Sequence, residues 1–293
     1  MKLSAETQLI RDAFGDEQAI AMMKEAGFDA IDYSFFSDAN KWLLKDDFRD
    51  YAKKIRCCLD KHGMTCAQSH APFVWSKNDK NILPFRYGMD MDESCDGYLA
   101  LVRAIEAAAI MGSPYIVIHT IALPDDQDPE EYNLTFYRSL LPYCERFGTR
   151  IAIENLFTRK DEYGILKPRF GTAKDLCDLI RKLDSPWVVA CVDLGHAAVT
   201  GTEPQTFIRD MEPEYLKVLH IQDTDYRDDR HYLPFGGLHD WNKITAELRE
   251  KHFDGAFSME IPGFLRRLPT DLYPDALTYA AKVGRFLISQ MEE

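Results

Sequence analysis

The strongest constraint on how this chain can fold is a rhythm. Short apolar runs rich in β-formers alternate with longer amphipathic stretches eight times from end to end. The runs fall at 2–4, 29–33, 65–70, 115–119, 150–154, 188–193, 216–221 and 256–260, and the helical stretches near 16–27, 47–62, 92–112, 130–147, 172–183, 204–213, 240–251 and 273–290. Strand followed by helix, repeated, is the pattern of βα units that build a parallel sheet. Eight of each, ending in a helix, is what closure into a barrel requires. The expected fold is therefore α/β, a (β/α)₈ TIM barrel forming a single domain over residues 1–293. A doubly wound open sheet is the competitor, but no G-x-G-x-x-G follows the first run.

The connections agree. Gly27, Gly63, Gly112 and Gly148 each stand between a helical stretch and the next run, where a glycine can terminate a helix in the left-handed conformation. The connections from run to helix, such as 71–90 and 224–239, are longer and carry more aromatic and charged residues. In a barrel those loops form the mouth, and function sits there.

Composition narrows the class. A formal charge of −13 and a pI near 5.1 leave no basic stripe to neutralise phosphates, which weighs against nucleic acid as the main partner. No apolar run reaches the ~18 residues of a membrane span, and the first residues lack the apolar core of a secretory signal. Seven cysteines without C-x-x-C spacing read as reduced thiols. A cytoplasmic location is the expectation, and the exposed helices of a barrel offer a surface on which copies can pair as homo-oligomers.

Six consecutive runs, the third to the eighth, end in His or an acid: His70, His119, Glu154, Asp193, His220 and Glu260. Parity then decides which side chains meet. Neighbouring residues of a strand point to opposite faces, and Glu154, Asp193, His220 and Glu260 are each flanked by apolar residues: Ile153, Val192 with Leu194, Leu219 with Ile221, and Met259 with Ile261. The four polar groups are expected to face inward. Three carboxylates and one imidazole converging inside a barrel need a compensating charge, and a divalent cation supplies it. Mixed oxygen and nitrogen donors suit Mn²⁺, Zn²⁺, Co²⁺ or Fe²⁺ better than Ca²⁺. His196, three residues past Asp193, can reach a substrate or a second ion. Asp229 and His231, spaced D-x-H in a mouth loop, can chelate an ion or stand solvated. Phe35, Phe73 and Trp75 are candidates for an apolar wall and equally for exposed or core packing, whereas His62, His252 and His239 read as structural.

Taken in order, Ser69-His70-Ala71-Pro72, Val117-Ile118-His119-Thr120, Ile153-Glu154-Asn155, Asp193-Leu194-Gly195-His196, Leu219-His220-Ile221 and Ser258-Met259-Glu260 resemble the xylose isomerase-like barrel superfamily. This superfamily comprises sugar phosphate isomerases and epimerases and also endonuclease IV. In its ketose epimerases, the resemblance implies, residues matching Glu154, Asp193, His220 and Glu260 hold one Mn²⁺ or Co²⁺, the two glutamates move protons, and the residue matching His196 binds a substrate oxygen. Endonuclease IV holds three zinc ions, and its ligand set finds counterparts in His70, His119, Glu154, Asp193, His196, His220, Asp229, His231 and Glu260. One departure matters. Epimerases often carry an arginine six residues after the metal histidine, where this chain has Tyr226, with Arg227 one place further on.

The resulting expectation is a metal-dependent isomerase or epimerase of a sugar, sugar phosphate or cyclitol, working through a metal-stabilised enediolate. One ion is favoured and up to three are possible. Glu154 and Glu260 are the expected acid/base pair, and His196, His70, Arg227 and Trp75 the substrate contacts. Arg159, Lys160, Arg227 and Arg230 are candidate cations for a phosphate. A zinc-dependent endonuclease at abasic DNA sites and a barrel without catalysis of its own are the alternatives.

Overall fold

The computed structural model describes residues 1–36, 42–73, 85–124, 128–160 and 166–292, with the side chains of 159 and 160 outside that description. Eight parallel strands make one sheet: β1 (Leu3–Glu6), β2 (Ala30–Ser34), β3 (Thr65–His70), β4 (Tyr115–Ile118), β5 (Arg150–Glu154), β8 (Val188–Asp193), β9 (Leu216–His220) and β10 (Phe257–Met259). The order is β10-β1-β2-β3-β4-β5-β8-β9. The last seam closes between β9 and β10 through the Ile221–Met259 bridge, with Ile221 N–H donating to Ser258 O (2.8 Å) and Glu260 N–H to Ile221 O (2.9 Å). The fold is the predicted TIM barrel.

Helices α2 (Asp16–Ala26), α3 (Phe48–His62), α4 (Asp96–Met111), α5 (Pro129–Phe147), α6 (Ala173–Leu183), α8 (Pro204–Asp210), α9 (Trp241–Glu250) and α11 (Tyr273–Glu292) follow the eight barrel strands. Gly27, Gly63, Gly112 and Gly148 end four of them at φ between +61° and +103°, a region open to glycine at little cost. Asp128 Oδ1 caps α5 by accepting from Glu130 N–H (2.8 Å), and Thr172 Oγ1 caps α6 by accepting from Asp175 N–H (3.1 Å). Three short helices were not foreseen: α1 (Gln8–Phe14), α7 (Leu194–Val199) and α10 (Pro262–Leu265). Nor was the antiparallel hairpin β6 (Leu156–Lys160) with β7 (Leu166–Arg169), inserted after β5.

The apolar residues separate into two bodies. The larger lies between sheet and helices and contains Ile153, Val192, Leu194, Leu219, Ile221, Met259 and Ile261. The smaller, Val117, Ala152, Val189, Cys191 and Val218, fills the barrel interior. Ala152, Cys191 and Val218 precede Glu154, Asp193 and His220 by two residues, so those three point into the barrel above an apolar plug. All seven cysteines carry free thiols. Among the described residues, no helix is long and apolar enough to cross a membrane.

β1 runs two residues beyond the expected boundary at Ser4 and thereby brings Glu6 to the mouth. Glu6 is buried, its Oε1 accepting from Ser34 Oγ–H and Gln8 N–H. Burial pushes its carboxyl up to about 7. Below pH 4.5 the group is protonated whether folded or not. As pH rises from 4.5 to 7, the unfolded chain gives up this proton to water while the folded protein must still hold it, so stability is lost across that window. Glu6→Gln is therefore expected to be more stable than the parent at pH 8 by about 3 kcal/mol. The advantage should disappear near pH 4, as read from urea midpoints at both pH values.

Candidate active site

The four inward groups converge. Glu154, Asp193, His220 and Glu260 offer ligand atoms that all lie within 4.8 Å of one another, and all four are buried. His220 Nδ1 is central: 3.0 Å from Glu154 Oε1, 3.2 Å from Glu260 Oε2 and 4.0 Å from Asp193 Oδ2.

Local structure sets each position. Asn155 clamps the backbone of Asp193 from both sides, Nδ2–H donating to Asp193 O (2.9 Å) and Oδ1 accepting from Asp193 N–H (2.8 Å). Asp193 Oδ1 caps α7 by accepting from His196 N–H (2.6 Å). Gln222, which sequence reasoning passed over, donates from Nε2 to Asp193 Oδ1 (3.1 Å) and Oδ2 (3.0 Å) and to Asp229 Oδ1 (3.1 Å), while its Oε1 accepts from His231 N–H (2.9 Å). This explains the glycine of Asp193-Leu194-Gly195-His196. A Cβ at Gly195 would stand 2.4 Å from the Gln222 carboxamide, so any side chain there would push that amide off Asp193.

Two more groups flank the quartet. In the first, His119 Nε2 lies 2.8 Å and His70 Nε2 3.7 Å from Glu154 Oε2, and the two ring nitrogens are 3.0 Å apart. The second joins His196, Asp229 and His231. There His231 Nε2 is 2.7 Å and His196 Nε2 3.6 Å from Asp229 Oδ2, and His196 Nδ1 is 3.0 Å from Asn155 O. His231 sits at φ +48°, and Tyr226 and Phe235 of the same loop at +63° and +71°. Non-glycine residues in that region cost of order 1–3 kcal/mol each and cluster at functional sites.

The electrostatics follow from burying so many acids together. Burial pushes the Glu260 carboxyl up to about 8, against the pull of His220 and His231. Burial also resists ionisation of Glu154, but the charged His220 ring, with His119 and His196 set against the carboxyl, outweighs it and holds that carboxyl well below the usual range. At His220 and His196, burial is overcome by the surrounding acids, with the Cys191 sulfur adding to them at His220, and both rings keep their protons well above the ordinary histidine range. His231 rises to about 10 for the same reason, Asp229 being its main partner. His119, buried with less compensation, falls to about 4 and is neutral.

Whether a cation fits can be judged from the donors. Glu154 Oε2 and Glu260 Oε2 are buried with no hydrogen-bond partner, for the His119 contact to Glu154 Oε2 is close but not aligned. Buried carboxylate oxygens left unpaired are costly, and a divalent ion between them, beside Asp193 and the His220 nitrogen, would satisfy both. The quartet fits a metal.

The remaining expected contacts fall out unevenly. Phe35 takes the core alternative: it is wholly enclosed and packed edge-on against Tyr33 (5.0 Å). Phe36 takes the wall position instead, 5.0 Å from the His70 ring and 4.6 Å from Phe73, which itself lies 4.5 Å from His119. Arg227 is exposed on its loop, and Arg230 is engaged by Asp225 (3.2 Å) and Asp228 (2.7 Å). Tyr226 donates to Glu203 (2.8 Å). Trp75 and the side chains of Arg159 and Lys160 lie outside the described residues. A cation the sequence did not single out, Arg169 of β7, is half-buried with Nε donating to Thr120 Oγ1 (2.9 Å), close enough that its charge acts on Glu154 and His119.

A family model described as a xylose isomerase-like TIM barrel matches residues 20–283. The chain is 26% identical over 270 residues to an uncharacterised protein of Sinorhizobium fredii, covering 85% of this chain and 81% of that one. It is 24% identical over 152 residues to a 2-oxo-tetronate isomerase of Haemophilus influenzae, half of this chain and 56% of the other. The crystal structure of a D-tagatose 3-epimerase-like protein superimposes with a TM-score of 0.72 at 19% identity, covering 100% of this chain and 97% of that one.

Proposed function

Since this chain belongs to the family of xylose isomerase-like TIM barrels, we propose that it is a divalent-metal-dependent isomerase or epimerase of a sugar, sugar phosphate or cyclitol. The observation that carries the reading is the pair Glu154 and Glu260. Both are buried, both keep one oxygen unpartnered, and they approach His220 Nδ1 from two sides at 3.0 and 3.2 Å. Their surroundings push them apart in acidity, Glu154 well below the carboxylate range and Glu260 up to about 8. Two carboxyl groups so divided are what a proton transfer needs, one ionised and able to accept, one protonated and able to give. A cation on Glu154, Asp193, His220 and Glu260 would polarise the carbonyl and adjacent hydroxyl of the substrate and acidify the proton between them.

The chain's own groups do the rest. Glu154 takes the proton from the carbon beside the carbonyl, and Glu260 returns one at that carbon or its neighbour. His196, anchored through Asn155 O, orients a substrate oxygen. Phe36 and Phe73, against the His70 and His119 rings, keep water from the transferred proton, and the charge of Arg169 acts on Glu154. The isomerase and epimerase chemistry of the named relatives supports this reading.

The direct test is solvent exchange. Mn²⁺-loaded protein incubated in D₂O with a panel of ketoses and their acids should place deuterium at the carbon next to the carbonyl of whichever compound it converts, seen by NMR. Conversion with no deuterium gained, together with full activity of Glu260→Gln, would sink the mechanism.

A second reading rests on the two flanking groups. His70–His119–Glu154 and His196–Asp229–His231 could each hold an ion, and three ions would suit a zinc-dependent phosphodiesterase acting on abasic DNA. The charge of −13 opposes it, and the number of ions per chain separates the two.

A further inference from the structure

Asp32, on β2, is a buried carboxylate to which the chemistry above gives no task. It is 1% exposed, and its Oδ1 has no hydrogen-bond partner. Its Oδ2 gathers three strands: Gln68 Nε2–H of β3 donates at 2.7 Å, Ser258 Oγ–H of β10 at 3.4 Å, and His220 Nε2 of β9 lies 3.4 Å away. An amide and a hydroxyl alone are poor compensation for a buried negative charge. The imidazole is the only one of the three that can transmit positive charge, because an ion on one ring nitrogen strengthens the other as a donor.

His220 is oriented so that its two nitrogens do different things. Nδ1 faces the carboxylates of Glu154 and Glu260, and Nε2 faces Asp32. We propose that Asp32 is a positioning residue that accepts Nε2–H of His220, fixes that tautomer and thereby aims the Nδ1 lone pair at the metal. The opposite tautomer would set a nitrogen lone pair against the Asp32 oxygen and leave Nδ1 with a proton where a ligand is required. The inference rests on reading the quartet as a metal centre, and it adds a fifth buried residue from a strand that contributes no ligand.

The test uses the full chain and two probes, Zn²⁺ and Mn²⁺. Calorimetric titration of the parent and of Asp32→Asn, which keeps an acceptor but loses the charge, should show about 10–100-fold weaker binding in the variant. In ¹⁵N-histidine spectra of the Zn²⁺-loaded parent, His220 should be ligated through Nδ1 and protonated at Nε2. Unchanged affinity in a folded Asp32→Asn, or ligation through Nε2, overturns the proposal. The spectrum of the parent needs no variant, so it decides even if Asp32→Asn does not fold. A parent that binds neither ion fails the metal reading itself, which is distinct from a parent and variant that bind equally well.

Discussion

Glu260→Gln is expected to lower kcat by about 10²–10⁴-fold, the usual range for loss of a general acid or base, while the barrel stays folded. Glutamine fills the same volume and still offers an oxygen near His220, so the change removes the mobile proton more than the ligand. Glu260 is the group whose carboxyl is pushed up to about 8, whereas Glu154 is held well below the usual range. If Glu260 gives a proton in one direction of reaction and takes one in the other, the loss should appear in both directions and should not be rescued by raising the pH. Rates in both directions at pH 6.5 and 8.5 check this. A variant that keeps more than a tenth of the parent's rate would remove Glu260 from the chemistry.

Mn²⁺ added to metal-free protein is expected to release protons and to bind about tenfold more tightly per pH unit, for each proton released, between pH 6 and 8. Without an ion, Glu260 holds its proton up to about 8, and His220 is protonated well above the ordinary histidine range. His220 must give up its proton to become a ligand, whereas Glu260 can ligate through one oxygen and keep its transferable proton on the other. Because these affinities for protons are raised in the free protein, low pH favours the proton and high pH the ion. Calorimetry in two buffers of different ionisation heat counts the protons, and the same titration counts the ions. One per chain supports the isomerase reading, and three supports the phosphodiesterase. Affinity that does not change across this range would mean that His220 is not a ligand.

Much of this arrangement could be read from the chain because a strand's parity is local. Ile153 beside Glu154, or Leu219 beside His220, tells which way a side chain points without knowing what it meets, and β3, β5 and β8 lie where the sequence places them, residue for residue. What parity cannot supply is contact across the barrel. Asp32 has the same inward parity as Ser34 and Ala30, yet its importance depends on His220, which is far along the chain and arrives only when the sheet closes. Gln222 is hidden for the same reason, since its partners Asp193 and Asp229 belong to a strand end and a loop. Glu6 was lost by stopping β1 at Ser4, although alternation with Leu3 and Ala5 already pointed it inward. The β6–β7 hairpin has no such signal: Leu156–Lys160 and Leu166–Arg169 are short, mix apolar and charged residues without alternation, and do not distinguish a hairpin from a loop.

The seam between β9 and β10 gives the barrel a built-in weak point. Elsewhere neighbouring strands pair over two to five registered positions, whereas here a single bridge, Ile221 to Met259, joins the first and last staves. His220 stands on one side of it and Glu260 on the other. An ion gripping both is then a rivet across the opening, and whatever affinity it has for them is added to the hoop strength of the whole cylinder. Loading the centre and tightening the barrel would be one event, and the amides of Ile221 and Glu260 are where that tightening would be felt first.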